Sequence, residues 1–296
     1  MDRNLSAFVV IARTGNLTAA ANELHITQPT LTKRLQQLER TYGCALVDRL
    51  PRGVKLTTLG HELLPFAKRI EQSHLQAKEA LVAAQDGHLD ELRVGAGPLF
   101  HLKYLAPAFA RLREEFGNTR IRLAADLNDR NLPRIRNGTL DIAFGTIEDL
   151  PAEDAVEFRR LTEVEQGIIV SANHPLAGRT TISPDKLNEL DWIVYSETPE
   201  NEKLTLSYFD AQGLPPPNII LQTTSLTLGL QMVANSDLAM TLPIQLESIV
   251  DADSVRALRT NPPISRKPAG AFCRTSSLAY PVVSRLIEIV QEEIKK

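Results

Sequence analysis

Residues Thr27 to Glu39 read TQPTLTKRLQQLE, and their functional groups are nearly all of one kind. Gln28, Thr30, Thr32, Lys33, Arg34, Gln36 and Gln37 supply amides, hydroxyls and cations, with no acid before Glu39. Such groups bond to nucleic acid. A Gln amide matches an adenine edge, a Thr methyl or the Pro29 ring meets a thymine methyl, and Lys33 and Arg34 suit phosphate or guanine. Leu31, Leu35 and Leu38 fall at spacings of four and three, one buried stripe on a helix opposite that face. Thr27 is placed to cap the helix, and Pro29 sits in its first turn, where a missing N–H costs little. A DNA-reading helix needs this arrangement. An ordinary amphipathic surface helix shares it, and Arg34 is also placed to pair near Glu39 or to stay solvated, so the neighbours must decide.

The elements around the stretch are those that would position it. Leu5, Phe8, Val9 and Ala12 form a helical stripe that Gly15 and Asn16 break. Thr18–Leu24 (TAAANEL) is a short Ala-rich helix that allows close approach. His25-Ile26-Thr27 is a tight connection, the third helix runs from about Gln28 to Tyr42, and Gly43 stops it. This is a helix-turn-helix order. Leu46-Val47 and Val54-Lys55-Leu56 then flank Leu50-Pro51-Arg52-Gly53, a hairpin with a basic tip. Arg52 there fits a narrow minor groove, or is an exposed arginine in a surface loop. Residues 1–60 hold eight Lys/Arg against four acids, a net of +4; with −3 for the whole chain, the remainder carries −7. A basic head on an acidic body suits a head that touches DNA and a body that does not.

From Thr58, Leu59, Leu63, Phe66, Ile70, Ser73, Ala77, Ala80 and Ala84 repeat at four and three, a seam along a helix of about 28 residues. Pro65 inside it predicts a local kink. The seam packs against a copy of itself, which predicts a dimer, or back on the chain's own body. Gln85–Asp90 (QDGHLD) reads as a hinge. Beyond it strands and helices alternate. Strands are predicted at Leu92–Gly97, Thr119–Asp126, Asp141–Gly145, Gly167–Ser171, Trp192–Tyr195, Asn218–Thr223, Leu238–Leu242 and Ala269–Arg274. Helices are predicted at Tyr104–Phe116, Leu132–Asn137, about 203–212, about 225–235 and Pro281–Lys296. That is an α/β body with mostly parallel sheets and ligand sites at strand carboxyl ends.

Composition is that of a globular protein, 43% apolar and 23% charged. No apolar run spans a bilayer, and MDRNLSAFVV lacks the pattern of a secretory signal, so a cytoplasmic protein without membrane contact is expected. Gly95-Ala96-Gly97 after a strand resembles a dinucleotide fingerprint, but Phe100 stands where a third glycine should be. There is no G-x-S-x-G, and His25, His61, His74, His88, His101 and His174 show no ligand spacing, so no hydrolase, metal site or cofactor is expected. Cys44 and Cys273 lie too far apart in the chain's plan to suggest a redox pair. A periplasmic binding protein would share the body but leave the basic head unexplained.

The pieces FVVIARTGNLTAAANELHITQPTLTKRLQQLE, LVDR, PRGVKLTTLG and LLPFAKRI resemble the N-terminal module of LysR-type transcriptional regulators in order and spacing. LRVGAG, NGTLDIAFG, GIIVSANHPLA and NSDLAMTLP resemble that family's body more loosely. The resemblance implies an α+β multidomain chain. A winged helix-turn-helix domain would occupy 1–57, and a dimerising linker helix and hinge 58–87. A periplasmic-binding-protein-like α/β effector domain would occupy 88–296, with subdomain I at about 91–163 plus 267–296 and subdomain II at about 164–266. It implies double-stranded promoter DNA and a small-molecule effector as partners, a dimer of dimers, and no catalysis. DNA contacts map onto Gln28, Pro29, Thr32, Lys33 and Arg52, with Thr30 and Arg34 close by. For the effector, strand-end logic points to Pro98, Leu99, Phe100, His101, Asn128 and Thr146 on one side, and to Thr198, Asn201, Thr224 and Ser225 on the other. Thr224 and Ser225 either meet an anion at the next helix start or only cap it. His101 and Lys103 suggest an anionic effector, or are plain surface residues. The departure from the family at Leu99-Phe100-His101, where relatives carry Ser or Thr, puts an inherited ligand in doubt.

Overall fold

The computed structural model describes residues 2–50, 53–86, 89–146, 156–195, 199–246, 249 and 253–296. Arg52 and Thr198 lie outside the described residues, and so does the Asn201 side chain. The chain divides into two compact units, Met1–Leu89 with Asn137–Thr139, and Asp90–Arg136 with Leu140–Lys296. The long helix therefore groups with the head.

In the first unit, α1 (Arg3–Thr14) begins where the Asp2 carboxylate accepts from Asn4 N and ends at Gly15, whose φ of +63° closes the C-cap. The Asn16 side chain accepts from Thr18 and Ala19 to start α2 (Leu17–Glu23). α3 (Gln28–Tyr42) follows a turn in which His25 is left-handed. Phe8, Ile11, Leu31, Leu35 and Leu46 are fully buried together. Each such side chain is worth about 1.5–3 kcal/mol of burial, enough to fix the face that α3 turns outward. β1 (Val47–Leu50) and β2 (Gly53–Leu56) pair antiparallel, Val47 opposite Leu56 and Leu50 opposite Gly53. The hairpin lies against the α1–α2 turn, where Val54 N donates to Gly15 O at 2.9 Å. A Cβ at Gly53 would meet Gly15 O at 2.5 Å, and its φ is +113°, so only glycine fits. α4 (Thr58–Asp86) runs on through Pro65. Leu63 packs on the head's core, whereas Leu59, Phe66 and Ile70 of the predicted seam are about half exposed, at 54, 56 and 47%.

The second unit is built on one large sheet. Its strands are β3 (Glu91–Ala96), β4 (Arg120–Ala125), β5 (Ile142–Thr146), β6 (Val156–Ser171), β7 (Thr181–Ile182), β8 (Asp191–Tyr195), β9 (Asn218–Thr223), β10 (Ala239–Pro243), β11 (Val255–Thr260) and β12 (Ser265–Arg274). The order is β4-β3-β5-β12-β6-β10-β8-β9, with β11 on β6 and β7 on β11. Its helices are α5 (Leu105–Glu115), α6 (Asn128–Arg136), α7 (Pro184–Asn188), α8 (Pro199–Ala211), α9 (Leu226–Ala234) and α10 (Pro281–Lys295).

Parallel pairing holds within β4-β3-β5 and within β10-β8-β9, as the sequence predicts. The strands joining these two sets are antiparallel instead. β6 is 16 residues long and starts at Val156, eleven before the predicted strand. Its first part pairs with β12 and its last part with β10 and β11. These two strands are the crossings between two lobes. β7, α7 and β11 were not predicted, and α6 starts four residues before the predicted helix.

Candidate functional site

Two places gather functional groups. On the first unit, Gln28, Thr32, Gln36 and Arg40 form one row of α3 and Pro29, Lys33 and Gln37 the next, together lining an open groove. Rows four residues apart lie side by side on a helix, so these groups share one surface. Leu31, Leu35 and Leu38 are buried at 0, 1 and 2% exposure beneath it. Thr27 Oγ1 caps the helix, accepting from Thr30 N, and lies 2.8 Å from Thr30 Oγ1, which turns the Thr30 hydroxyl toward the cap. Thr18 of α2 donates to Gln28 Oε1 at 3.4 Å, leaving that amide's N–H groups outward. Arg34 is partly covered and lies outside the groove. Glu39, the acid of α3, is turned away from it: Oε1 accepts from Leu46 N at 2.9 Å and from Val47 N at 3.4 Å. It fixes the start of the hairpin. The groove therefore carries two cations, four amide or hydroxyl side chains and no carboxylate.

On the second unit, a cavity of about 480 Å³ opens between the lobes. Gly97–Phe100, after β3, form one wall. Phe100 N and His101 N both donate to Gly97 O at 3.1 Å, and the chain passes through a π turn into α5. Leu99 and Phe100 are buried, and the Phe100 ring lies 5.5 Å from that of Phe144. Asn128 and Thr146 meet, since Asn128 Nδ2 donates to both the carbonyl and the hydroxyl of Thr146. A Cβ on Gly145 would lie 2.0 Å from Asn128 Oδ1, so a side chain there would displace the Asn128 amide. Asp129, Leu132, Pro133 and Arg136 extend the wall along one face of α6. Tyr195, Leu204 and Thr241–Pro243 form the facing wall. Burial and the Asp126 charge push the Tyr195 phenol above its ordinary range, so it stays protonated at neutral pH.

The crossing strands supply the floor. Gln166 is in register with Ser265 and Val164 with Lys267, and all four line the cavity. The residues between them, Glu165 and Arg266, pair on the other face, where Arg259 joins them at 3.0 Å. Strand alternation thus divides a charged run into a paired outer face and a cavity face.

Of the residues that the sequence points to, Pro98, Leu99, Phe100, Asn128 and Thr146 line the cavity. His101 does not: its Nδ1 donates to Gly97 O at 3.1 Å, and burial pushes its pKa down, so it is neutral at neutral pH. Lys103 Nζ donates to Gln245 O at 2.8 Å, which ties the two lobes beside the cavity. The two groups read as hints of an anion are thus turned to backbone carbonyls. Thr224 and Ser225 are exposed and outside the lining; Ser225 caps α9 by accepting from Leu228 N. The cations that face the cavity, Arg136 and Lys267, were missed, as were Gln166, Tyr195, Thr241 and Ser265. For Gln166, Ser265 and Lys267 the signal is period-two alternation within VEQ and SRK, which a charged strand obscures. Cys273 is buried, and its thiol is pushed up to about 11.

Among the described residues no helix is long and apolar enough to cross a membrane. Residues 3–61 match the model of the bacterial regulatory helix-turn-helix protein, lysR family, and residues 85–295 that of the LysR substrate binding domain. The transcriptional regulator PcaQ of Agrobacterium fabrum is 25% identical over 98% of this chain and 94% of its own. GbpR of Azospirillum brasilense is 27% identical over 79% of this chain and 69% of its own. The crystal structure of CbnR, a LysR family transcriptional regulator, covers all of both chains with a TM-score of 0.67 at 20% identity. Full-length CbnR complexed with its target DNA gives 0.66, covering 99% of each chain at 20% identity.

Proposed function

The chain belongs to the LysR family, as a DNA-binding transcriptional regulator with a substrate-binding domain for a small-molecule effector, and from that premise we propose how its residues divide the work. α3 enters the major groove with Gln28, Pro29, Thr32 and Lys33 foremost and Thr30 and Arg34 flanking, and Arg52, between β1 and β2 in the sequence, adds a contact. The observation that carries this reading is the acid-free groove of α3 above three buried leucines, with Glu39 tied to the hairpin instead. The cavity between the lobes takes the effector, and a change in lobe closure shifts the population of DNA-competent assemblies. The boundaries stand as 1–57, 58–87 and 88–296, with lobe boundaries near 164 and 267. The chain acts in the cytoplasm without catalysis. It dimerises through α4, whose half-exposed Leu59, Phe66 and Ile70 favour a partner helix over the head's own core, and two dimers form a tetramer.

The test is fluorescence anisotropy of the full chain on a duplex carrying the DNA upstream of its own gene. Sequence-preferring binding with a steep salt dependence supports the reading. Equal affinity for scrambled duplexes at every salt concentration refutes it.

A further inference from the structure

The polar face of α3 is longer than the groove it is read to enter. At 1.5 Å of rise per residue, the run from Gln28 to Arg40 covers about 18 Å, against a major-groove width of about 12 Å. The face stays free of acids to its far end. Pro29, Lys33, Gln36 and Arg40 fall within about 30° of one line along the helix, opposite the buried Leu31, Leu35 and Leu38. Lys33 and Arg40 are two turns apart on that line, about 10 Å along the axis. Both are exposed, and among the described residues neither forms an ion pair. The acid beside Arg40 does not neutralise it, because the Glu39 carboxylate accepts from Leu46 N and Val47 N.

Those same bonds place the start of the hairpin beside the C-terminal end of α3. Arg40 therefore stands between the first turns of the helix, read as entering the major groove, and the hairpin, whose Arg52 the sequence matches to a minor groove. A major groove and the minor groove next to it are separated by one phosphate backbone. A guanidinium at that place fits a phosphate, which it can bind with two parallel N–H bonds.

Given that α3 enters the major groove, the reading on which this rests, we propose that Arg40 binds a phosphate on the backbone at the rim of that groove. The C-terminal half of α3 is then a second contact zone, for backbone, beyond the base-reading residues 28–34.

The experiment is anisotropy titration of the full chain on one operator duplex, in a salt series, with single neutral methylphosphonates placed in turn along the half-site. Arg40→Gln should weaken binding about tenfold at low salt, alike for every base variant of the operator, and lower the magnitude of the salt slope by about one. It should also erase the penalty of the methylphosphonate at one position, a penalty that Lys33→Gln leaves in place. Arg40→Lys should keep most of the slope, which separates lost charge from lost folding. A cation that only complements the helix C-terminus predicts a lower thermal midpoint for Arg40→Gln with an unchanged slope, and that result overturns the proposal. So does a relaxed base preference in Arg40→Gln, or a methylphosphonate profile identical to that of the wild type. If the wild type binds scrambled duplexes as tightly as the operator, the DNA reading itself fails. If operator preference persists while Arg40→Gln keeps the wild-type slope and profile, the Arg40 contact alone is refuted.

Discussion

Glu39 separates a structural account of α3 from a purely electrostatic one. Its carboxylate is the acceptor for Leu46 N at 2.9 Å and, more weakly, for Val47 N at 3.4 Å. Leu46 is 1% exposed, so Glu39→Ala leaves its N–H without water as a replacement partner. A hydrogen bond to a charged acceptor contributes about 1.5–3 kcal/mol. The longer bond adds little, and about 2 kcal/mol is a fair value for the pair. If DNA binding requires the hairpin in place, a loss of that size lowers affinity by at most about 30-fold. Charge alone gives the opposite sign, since removing an acid from a DNA-facing helix relieves repulsion from phosphate. Glu39→Gln keeps an uncharged acceptor and should fall between wild type and Ala. Anisotropy titration on one duplex measures the affinity, and hydrogen exchange at the Leu46 amide measures the freed hairpin. Tighter DNA binding by Glu39→Ala with unchanged Leu46 exchange would refute the positioning role.

Two further outcomes concern the second unit. Asp141 is fully buried, takes three hydrogen bonds from Arg93 and faces Arg274 at 3.7 Å, so Asp141→Asn should cost about 3–5 kcal/mol in denaturant unfolding. His101 has its pKa lowered by burial. The unfolded chain therefore takes up a proton that the folded chain refuses, so the stability is complete above the ordinary value of 6.5 and declines as pH falls below it. Thermal midpoints from about pH 7.5 to about pH 5.5 should fall less steeply in His101→Gln than in wild type.

The head was legible because its signals are local. Leu31, Leu35 and Leu38 mark the buried stripe of α3, Thr27 and Gly43 cap its two ends, and Asn16 caps α2 before it. The parallel strands of the body were legible as short apolar runs. The crossing strands were not, because VEFRRLTEVE places charges on faces of the sheet that meet solvent or other charges, and apolar alternation is lost beyond Val156 and Phe158. The cavity inherits that difference. Strand-end reasoning reached Pro98, Leu99, Phe100, Asn128 and Thr146, whose side chains follow from local chain direction. It missed Lys267 and Gln166, which become cavity residues only through the register of β6 against β12. His101 and Lys103 misled for a related reason: their type suggested an anion, but burial and nearby carbonyls decide what they touch.

The reading of DNA by α3 is put at greatest risk by comparing Gln28→Ala and Lys33→Ala across a library of operator variants and a salt series. Gln28→Ala should relax base preference at one position, by about 1–3 kcal/mol of discrimination, and leave the salt slope unchanged. Lys33→Ala should weaken binding evenly across sequences and lower the magnitude of the slope by about one. Equal, sequence-independent losses in both variants with the same slope would contradict the assignment of α3 as the helix that reads the bases.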